Sequence, residues 1–507
     1  MQLVHDFLET SAQQTPDKIA LVCGKSRFTY AQIDQMANRL AHALVSRGVK
    51  RGDRVLLWLP NSVEMVVAVF ATLKANAVFV PVNITTKQDK LVYLANNCRA
   101  AVLMATDRHY ETAVTIASAA PSIHTIIGTG AHTPPAKHTL SYADIQATCQ
   151  PICPPRQTID QDLACLIYTS GSTGDPKGVM SAHSNVVFAA TSIITYLHNT
   201  SDDIVINVLP LSFDYGLYQL LMTFKFGGTL VLENSFAYPA YILKRMAQER
   251  VTGFPGVPTI FALLLQMDLS PYDLSHLRYI TNTAAALPPS HIEAIRQKFP
   301  QAALYSMYGL TETKRTLYLP PEELDRRPGS VGIAIPGTEA WLEDENGRRL
   351  GPGEIGELVI RGRHVMRGYW ENPEATAHRY RPGPLPGEQV CYSGDLFRMD
   401  EDGFFYFVGR QDDIIKSRGE KVAPKEIENV LYTLPGVTET AVIGIPDPIL
   451  GQAIKAFIVT SDSTLTERDV LHHCRTHLED YMVPQQIEFR ESLPKTTSGK
   501  IKKTGLS

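Results

Sequence analysis

Helical and strand-like patterns alternate through the first half of the chain, and this alternation constrains the fold more than any other feature. TYAQIDQMANRLAHALVSRG (residues 29–48) places its apolar side chains at helical spacing. The short apolar run DRVLLWLP (53–60) follows, then a second helical pattern, SVEMVVAVFATLKAN (62–76), and a second run, AVFVPV (77–82). Strands separated by helices pair in parallel, because a parallel neighbour is reached only by a long crossover. The same unit recurs at residues 203–226 and 229–250. After about residue 332 the pattern changes to GTEAWLEDENGRRLGPGEIGELVIRG, in which Asn-Gly and Pro-Gly turns separate strands as in antiparallel hairpins. At 507 residues the chain exceeds the roughly 250–300 that one core supports. The expected fold is therefore α/β, with a large N-terminal domain (1–409) of parallel-sheet βαβ subdomains and a small antiparallel barrel-like part (about 332–409). A small α+β C-terminal domain (410–507) follows it.

Composition narrows the function mainly by exclusion. With 48 basic and 52 acidic residues, the net charge of −4 favours neither nucleic acid nor an anionic membrane. The most apolar window, residues 63–82, is broken by Glu64, Lys74 and Asn76, too early for a membrane span. The N-terminus carries His5, Asp6 and Glu9 where a signal peptide would be continuously apolar, so a cytoplasmic protein is expected. Seven scattered cysteines without a CxxC spacing read as reduced thiols. His472, His473, Cys474 and His477 suggest a metal cluster, but Leu471, Cys474 and Leu478 share one stripe of an amphipathic helix, which is the simpler reading.

The stretch YTSGSTGDPKGV (168–179) follows the apolar run LACLI. Backbone N–H groups of a Gly/Ser/Thr-rich loop after a strand can converge on an anion, and Lys177 adds a point charge. A Walker loop is disfavoured, since Lys177 follows Pro176 and precedes Gly178 rather than standing between glycine and a hydroxyl. Taken alone, the string is equally compatible with a flexible polar loop.

The whole string resembles the signature of the adenylate-forming superfamily, which includes acyl-CoA synthetases, luciferases and the adenylation domains of peptide synthetases. TLKANAVFVPVN, MYGLTET, GEIGELVIRG with RGYWENPEAT, YSGDL, GRQDDIIKSRGEKVAPKEIE and PKTTSGKIKK follow in the family's order and cover essentially the entire chain, with Asn76 where glycine is usual. The resemblance implies two half-reactions: a carboxylate attacks the α-phosphate of ATP, giving an acyl-adenylate and pyrophosphate, and a thiol then takes the acyl group. It further implies that Thr169, Ser170, Gly171, Ser172, Thr173, Gly174 and Lys177 hold the phosphates, and that Thr311 and Glu312 serve the α-phosphate and Mg²⁺. Tyr308 and Gly309 would flank adenine opposite Ala284, Ala285 and Ala286, while Asp395 and Arg410 would hold the ribose. Lys500 would reach from a mobile C-terminal domain to the reacting carboxylate, with Asp412 as hinge and Gly419 beside the pantetheine arm. Without the resemblance, Glu312 reads as a surface carboxylate, Asp395 as a turn residue, Asp412 as linker and Lys500 as a solvated tail lysine.

The substrate is addressed by LPLSFDYGLYQLL (209–221). Acyl- and aryl-CoA ligases commonly carry a histidine pattern here, whereas amino-acid adenylation domains carry Phe-Asp, the aspartate pairing with the α-ammonium. Phe213-Asp214 therefore resembles the amino-acid branch; the alternative is that Asp214 caps the following helix. Tyr215, Tyr218, Met307 and Val257 would close a small pocket suited to a compact amino acid. The chain resembles stand-alone prolyl-adenylating ligases, so L-proline is the expected substrate and an acyl- or aryl-CoA ligase the alternative. With Ser507 as the last residue, a fused carrier of ~80 residues is not expected. The expected thiol acceptor is a separate carrier protein's phosphopantetheine, or coenzyme A.

Overall fold

The structure is a computed structural model that describes residues 2–130, 138–169, 176–283, 287–417, 420–447, 450–496, 501–503 and 505–506, with the backbone alone at 412, 416, 420, 421 and 451. Three sheets organise it. The first has seven strands in the order Thr139–Ser141, Thr125–Gly128, Ala100–Ala105, Arg54–Trp58, Val78–Pro81, Leu163–Thr169 and Lys177–Ala182. All neighbours in it are parallel except the last pair, whose register sets Thr169 opposite Lys177.

The second sheet has fourteen strands and changes character along its length. Its parallel part holds Thr229–Leu232, Ile204–Asn207, Gly253–Gly256, Tyr279–Asn282 and Ala303–Tyr308. From Ala303–Tyr308 it continues antiparallel through Leu317–Leu319, Ser330–Ala334, Phe405–Arg410, Gln389–Met399, Ile355–Gly362 and Thr338–Glu343. The third sheet is separate, built from Ile415–Ser417, Glu420–Val422, Val437–Asp447, Gly451–Thr460 and Gln486–Phe489. The helices Pro424–Tyr432 and Glu467–His477 accompany it. Cys474 lies fully buried in this unit's core, as the amphipathic stripe requires. No helix among the described residues is long and apolar enough to cross a membrane.

The helix Val63–Lys74 shows how the first two sheets come together. Its side chains are apolar on every face, and every residue from Met65 to Lys74 is buried. A helix of that composition has to lie between layers. Its C-terminal Lys74, only 2% exposed, meets Asp34 at 2.8 Å and Glu9 at 3.0 Å, so the buried ammonium is compensated.

Asn76, just beyond that helix, explains a departure from the usual glycine. Its φ of 61° lies in the left-handed region, which asparagine tolerates. The side chain repays the position: Oδ1 accepts from the Gln157 and Thr158 amides (2.7 and 3.1 Å) and the Thr158 hydroxyl (3.0 Å), and Nδ2 donates to the Pro155 carbonyl (3.1 Å). The proline-rich connector is thereby pinned to the first sheet. Asn76→Ala loses these bonds and leaves a Cβ in a left-handed backbone, so a loss of about 2–4 kcal/mol is expected in urea unfolding. Asn76→Gly should fall between alanine and the native protein; alanine at least as stable as glycine would show that backbone strain plays no part.

Three buried histidines give the fold an acid-sensitive term. Burial pushes His5, His183 and His364 down to about 3. His183 Nδ1 accepts the Val4 amide at 3.0 Å, and the His364 ring stacks on Phe188 at 5.7 Å between centroids. Between the unfolded value near 6.5 and about 3, the unfolded chain binds protons that the native state does not, so stability falls as pH falls through that window. His364→Leu should flatten the pH dependence of the unfolding free energy by about 1.4 kcal/mol per pH unit between pH 6 and 4. An unchanged slope would mean that His364 protonates in the folded protein.

Candidate active site

The segments singled out by sequence leave the carboxyl ends of parallel strands: residues 209–214 follow Ile204–Asn207, residues 283–286 follow Tyr279–Asn282, residues 309–315 follow Ala303–Tyr308, and residue 170 follows Leu163–Thr169. Ligand sites of open α/β sheets form at such ends. Ser170, Gly171, Ser172, Thr173 and Gly174 lie outside the described residues, as do Ala284, Ala285, Ala286, Gly419 and Lys500, and for Asp412 only the backbone, in the turn Gln411–Asp413, is described.

The flank of the glycine-rich loop and the YGLTE segment meet at one tyrosine. The Tyr369 hydroxyl donates to Glu312 Oε1 at 2.6 Å, and Lys177 Nζ lies 5.6 Å from the Tyr369 ring centroid. The backbone fixes this junction. The Trp370 amide donates to the Gly178 carbonyl (2.7 Å), the Met180 amide to Gly368 (2.9 Å), and the Met366 amide to Glu312 (3.0 Å). Glu312 is 8% exposed and feels the charge of Arg379, whose own pKa is driven up against burial by Glu312 and Tyr369. Nothing local in the sequence points to Tyr369 or Arg379: RGYWENPEAT resembles a family motif but does not itself show that its tyrosine meets Glu312.

A second group forms on adjacent antiparallel strands, where register sets Asp395 opposite Arg410. Arg410 Nε lies 3.4 Å from Asp395 Oδ1, and the Tyr308 hydroxyl donates to Asp395 Oδ2 at 2.6 Å. The Tyr308 ring meets Phe397 edge-on at 4.9 Å. Burial and the neighbouring Asp395 carboxylate both raise the Tyr308 pKa, so this phenol stays protonated and acts as a donor. Asp395 sits in a strand and is 4% exposed, unlike an ordinary turn residue. Thr311 stands in the turn between Ala303–Tyr308 and Leu317–Leu319, partly exposed.

Gly309 has a steric reason. A Cβ there would lie 1.8 Å from the Lys314 carbonyl oxygen and 2.9 Å from the Arg315 Cα, so only glycine lets residues 314–315 fold back against 309. Gly216 plays a similar part in FDYG, where a Cβ would meet the Pro210 carbonyl at 2.4 Å.

The residues expected at the substrate share one core cluster, Tyr215, Tyr218, Val257 and Met307 with Phe213 packed against it, and Lys314 joins Asp214 beside them. Tyr215 and Tyr218 are each 1% exposed, Val257 3% and Met307 4%. Phe213 packs edge-on against Tyr215, whose hydroxyl donates to the Thr281 carbonyl at 2.8 Å; the Tyr196 hydroxyl reaches the Met307 sulfur at 2.9 Å. Asp214 does not offer a free carboxylate to an α-ammonium. Its Oδ1 lies 2.9 Å from Lys314 Nζ, an ion pair that is not aligned as a hydrogen bond, with Lys314 side-chain exposure of 2% and Asp214 of 10%. The capping alternative does not hold either, since the helix Asp214–Phe226 has Phe213 at its N-cap and Asp214 already inside the first turn. The signal available in the sequence was the pair of adjacent cations in TETKRT, between the apolar residues of MYGL and LYLP.

Residues 8–370 match the family model described as AMP-binding enzyme, and residues 426–500 match that of the AMP-binding enzyme C-terminal domain. The chain belongs to this family, within the adenylate-forming superfamily, and is an ATP-dependent, AMP-forming acid–thiol ligase. It is 36% identical over 497 residues to a feruloyl-CoA synthase from an Amycolatopsis species, covering 97% of this chain and 96% of the relative. It is 32% identical over 533 residues to a long-chain-fatty-acid–CoA ligase of Salmonella typhimurium, covering 99% and 93%. Among solved structures, ATP-bound MatB from Rhodopseudomonas palustris superimposes with a TM-score of 0.90 at 30% identity, over 100% of this chain and 98% of the other. The anthranilate CoA ligase AuaEII with anthranoyl-AMP gives 0.91 at 30% identity, over 99% and 95%.

Proposed function

We propose that this chain is an acyl- or aryl-CoA ligase whose substrate is a carboxylic acid lacking an α-ammonium group. The observation that carries this reading is the buried Asp214–Lys314 pair: the carboxylate on which an amino-acid substrate would depend is already neutralised by the protein. The similar CoA ligases support it, and neither L-proline nor a carrier protein has a comparable basis.

In this reading the acid's carboxylate oxygen attacks the α-phosphorus of ATP, and the bond to the β-phosphate oxygen breaks to release pyrophosphate. The thiol of coenzyme A then attacks the acyl carbonyl, its proton is lost to solvent, and AMP departs. Two anions must approach in the first step, so oriented donors and cations dominate catalysis. Lys177 and residues 169–174 serve the β- and γ-phosphates, Thr311 the α-phosphate, Tyr308 and residues 284–286 the adenine, and Asp395 with Arg410 the ribose. Glu312, buried at the Tyr369 junction near Lys177, would hold Mg²⁺ through its carboxylate, an oxygen ligand suited to a hard cation. When bound, the ion would offset triphosphate charge. Lys500 serves the reacting carboxylate, with residues 410–507 turning about Asp412 so that Gly419 lines the path of the thiol.

Thioester formation with coenzyme A and pyrophosphate exchange, measured over aryl acids, fatty acids and L-amino acids, test the proposal. AMP and a CoA thioester are expected from non-amino acids. Exchange with amino acids alone would reject it.

A further inference from the structure

Arg315 is a buried cation that the mechanism above does not use. It is 5% exposed, and no carboxylate among the described residues pairs with it. Its guanidinium lies 4.7 Å from the Tyr215 ring centroid, and one terminal nitrogen reaches the Thr283 hydroxyl only at 3.4 Å. Its Nε is buried without an acceptor, and so is the hydroxyl of nearby Tyr218. Asp214 and Lys314 cancel each other, which leaves beside Tyr215 and Tyr218 one buried positive charge that no carboxylate among the described residues pairs. A buried guanidinium without a counter-charge is unfavourable unless something brings oxygen acceptors to it.

Among the described residues no further acceptor stands at its Nε, and a bound ligand would supply one. Residues that touch Arg315 differ from those at the phosphate side: Glu312 and Lys177 meet at Tyr369, whereas Arg315 meets Tyr215 and Thr283. Arg315 therefore stands with Tyr215 and Thr283 and not at the Tyr369 junction where Glu312 and Lys177 meet. We infer that Arg315 is a specificity residue that pairs with a second oxygen-acceptor group on the acyl portion of the substrate, a carboxylate satisfying both its charge and its planar fork. The substrate class is accordingly a short acid bearing a distal carboxylate, or a distal hydroxyl or carbonyl as a weaker match. This rests on the ligase reading above and narrows its substrate.

The test compares acids of equal length, hexanoate, 6-hydroxyhexanoate and adipate, by kcat/KM for CoA-thioester formation with the native enzyme, Arg315→Met and Arg315→Lys. The native enzyme should favour adipate over hexanoate. Arg315→Met should lose that preference by about 10–100-fold with KM for ATP unchanged, and Arg315→Lys should keep part of it. Should Arg315→Met fail to fold, the native preference together with Arg315→Lys decides. Hexanoate turned over as well as adipate, a preference unaltered in Arg315→Met, or an effect confined to KM for ATP would each overturn the inference while leaving the ligase standing. No thioester from any acid, aryl and fatty acids included, would overturn both.

Discussion

Asp214→Ala should lower the unfolding free energy by about 3–5 kcal/mol, the penalty for leaving a buried charge without its partner. Lys314 is the charge that would be stranded, with a side-chain exposure of 2% and its ammonium 2.9 Å from the aspartate. Removing both charges in Asp214→Ala with Lys314→Met should restore most of the loss, since an apolar replacement of a whole buried pair is often close to neutral. Denaturant midpoints of the two single variants and the double variant supply the comparison, and the non-additivity is the coupling energy. The result also separates the two roles weighed for this residue. An aspartate kept for a substrate ammonium would leave stability unchanged when removed and would raise KM only for amine-bearing acids.

The second large effect concerns the reaction. Lys500→Ala should reduce acyl-adenylate formation by about 10²–10³-fold, the size found when one preorganised donor to developing charge is deleted. Transfer from preformed acyl-adenylate to coenzyme A should stay largely intact, because Lys500 would act only while the C-terminal unit faces the nucleotide. Quenched-flow measurement of AMP and thioester from each starting point distinguishes the steps. Equal loss in both would mean that the lysine does not alternate between two arrangements of the chain.

These two residues illustrate different limits of the sequence. Lys500 could be named because PKTTSGKIKK is a long ordered string, although nothing local separates it from Lys495, Lys502 or Lys503. The sequence points Asp214 at a partner outside the protein because its real partner, Lys314, lies one hundred residues away, just past the residues Met307 to Glu312 to which the resemblance gives roles. Tyr369 was overlooked for the same reason: its hydroxyl meets Glu312 across 57 residues of chain.

By itself the sequence determined the layered α/β plan, since apolar periodicity is a local property that each helix and strand carries within its own residues. It also determined the superfamily, through motifs that follow in order along the chain. Only the tertiary structure decided which charges cancel. The pairing of Asp214 with Lys314 and the isolation of Arg315 depend on how strands distant in sequence bring their ends together, and electrostatic energy follows distance and burial in space, not position along the chain.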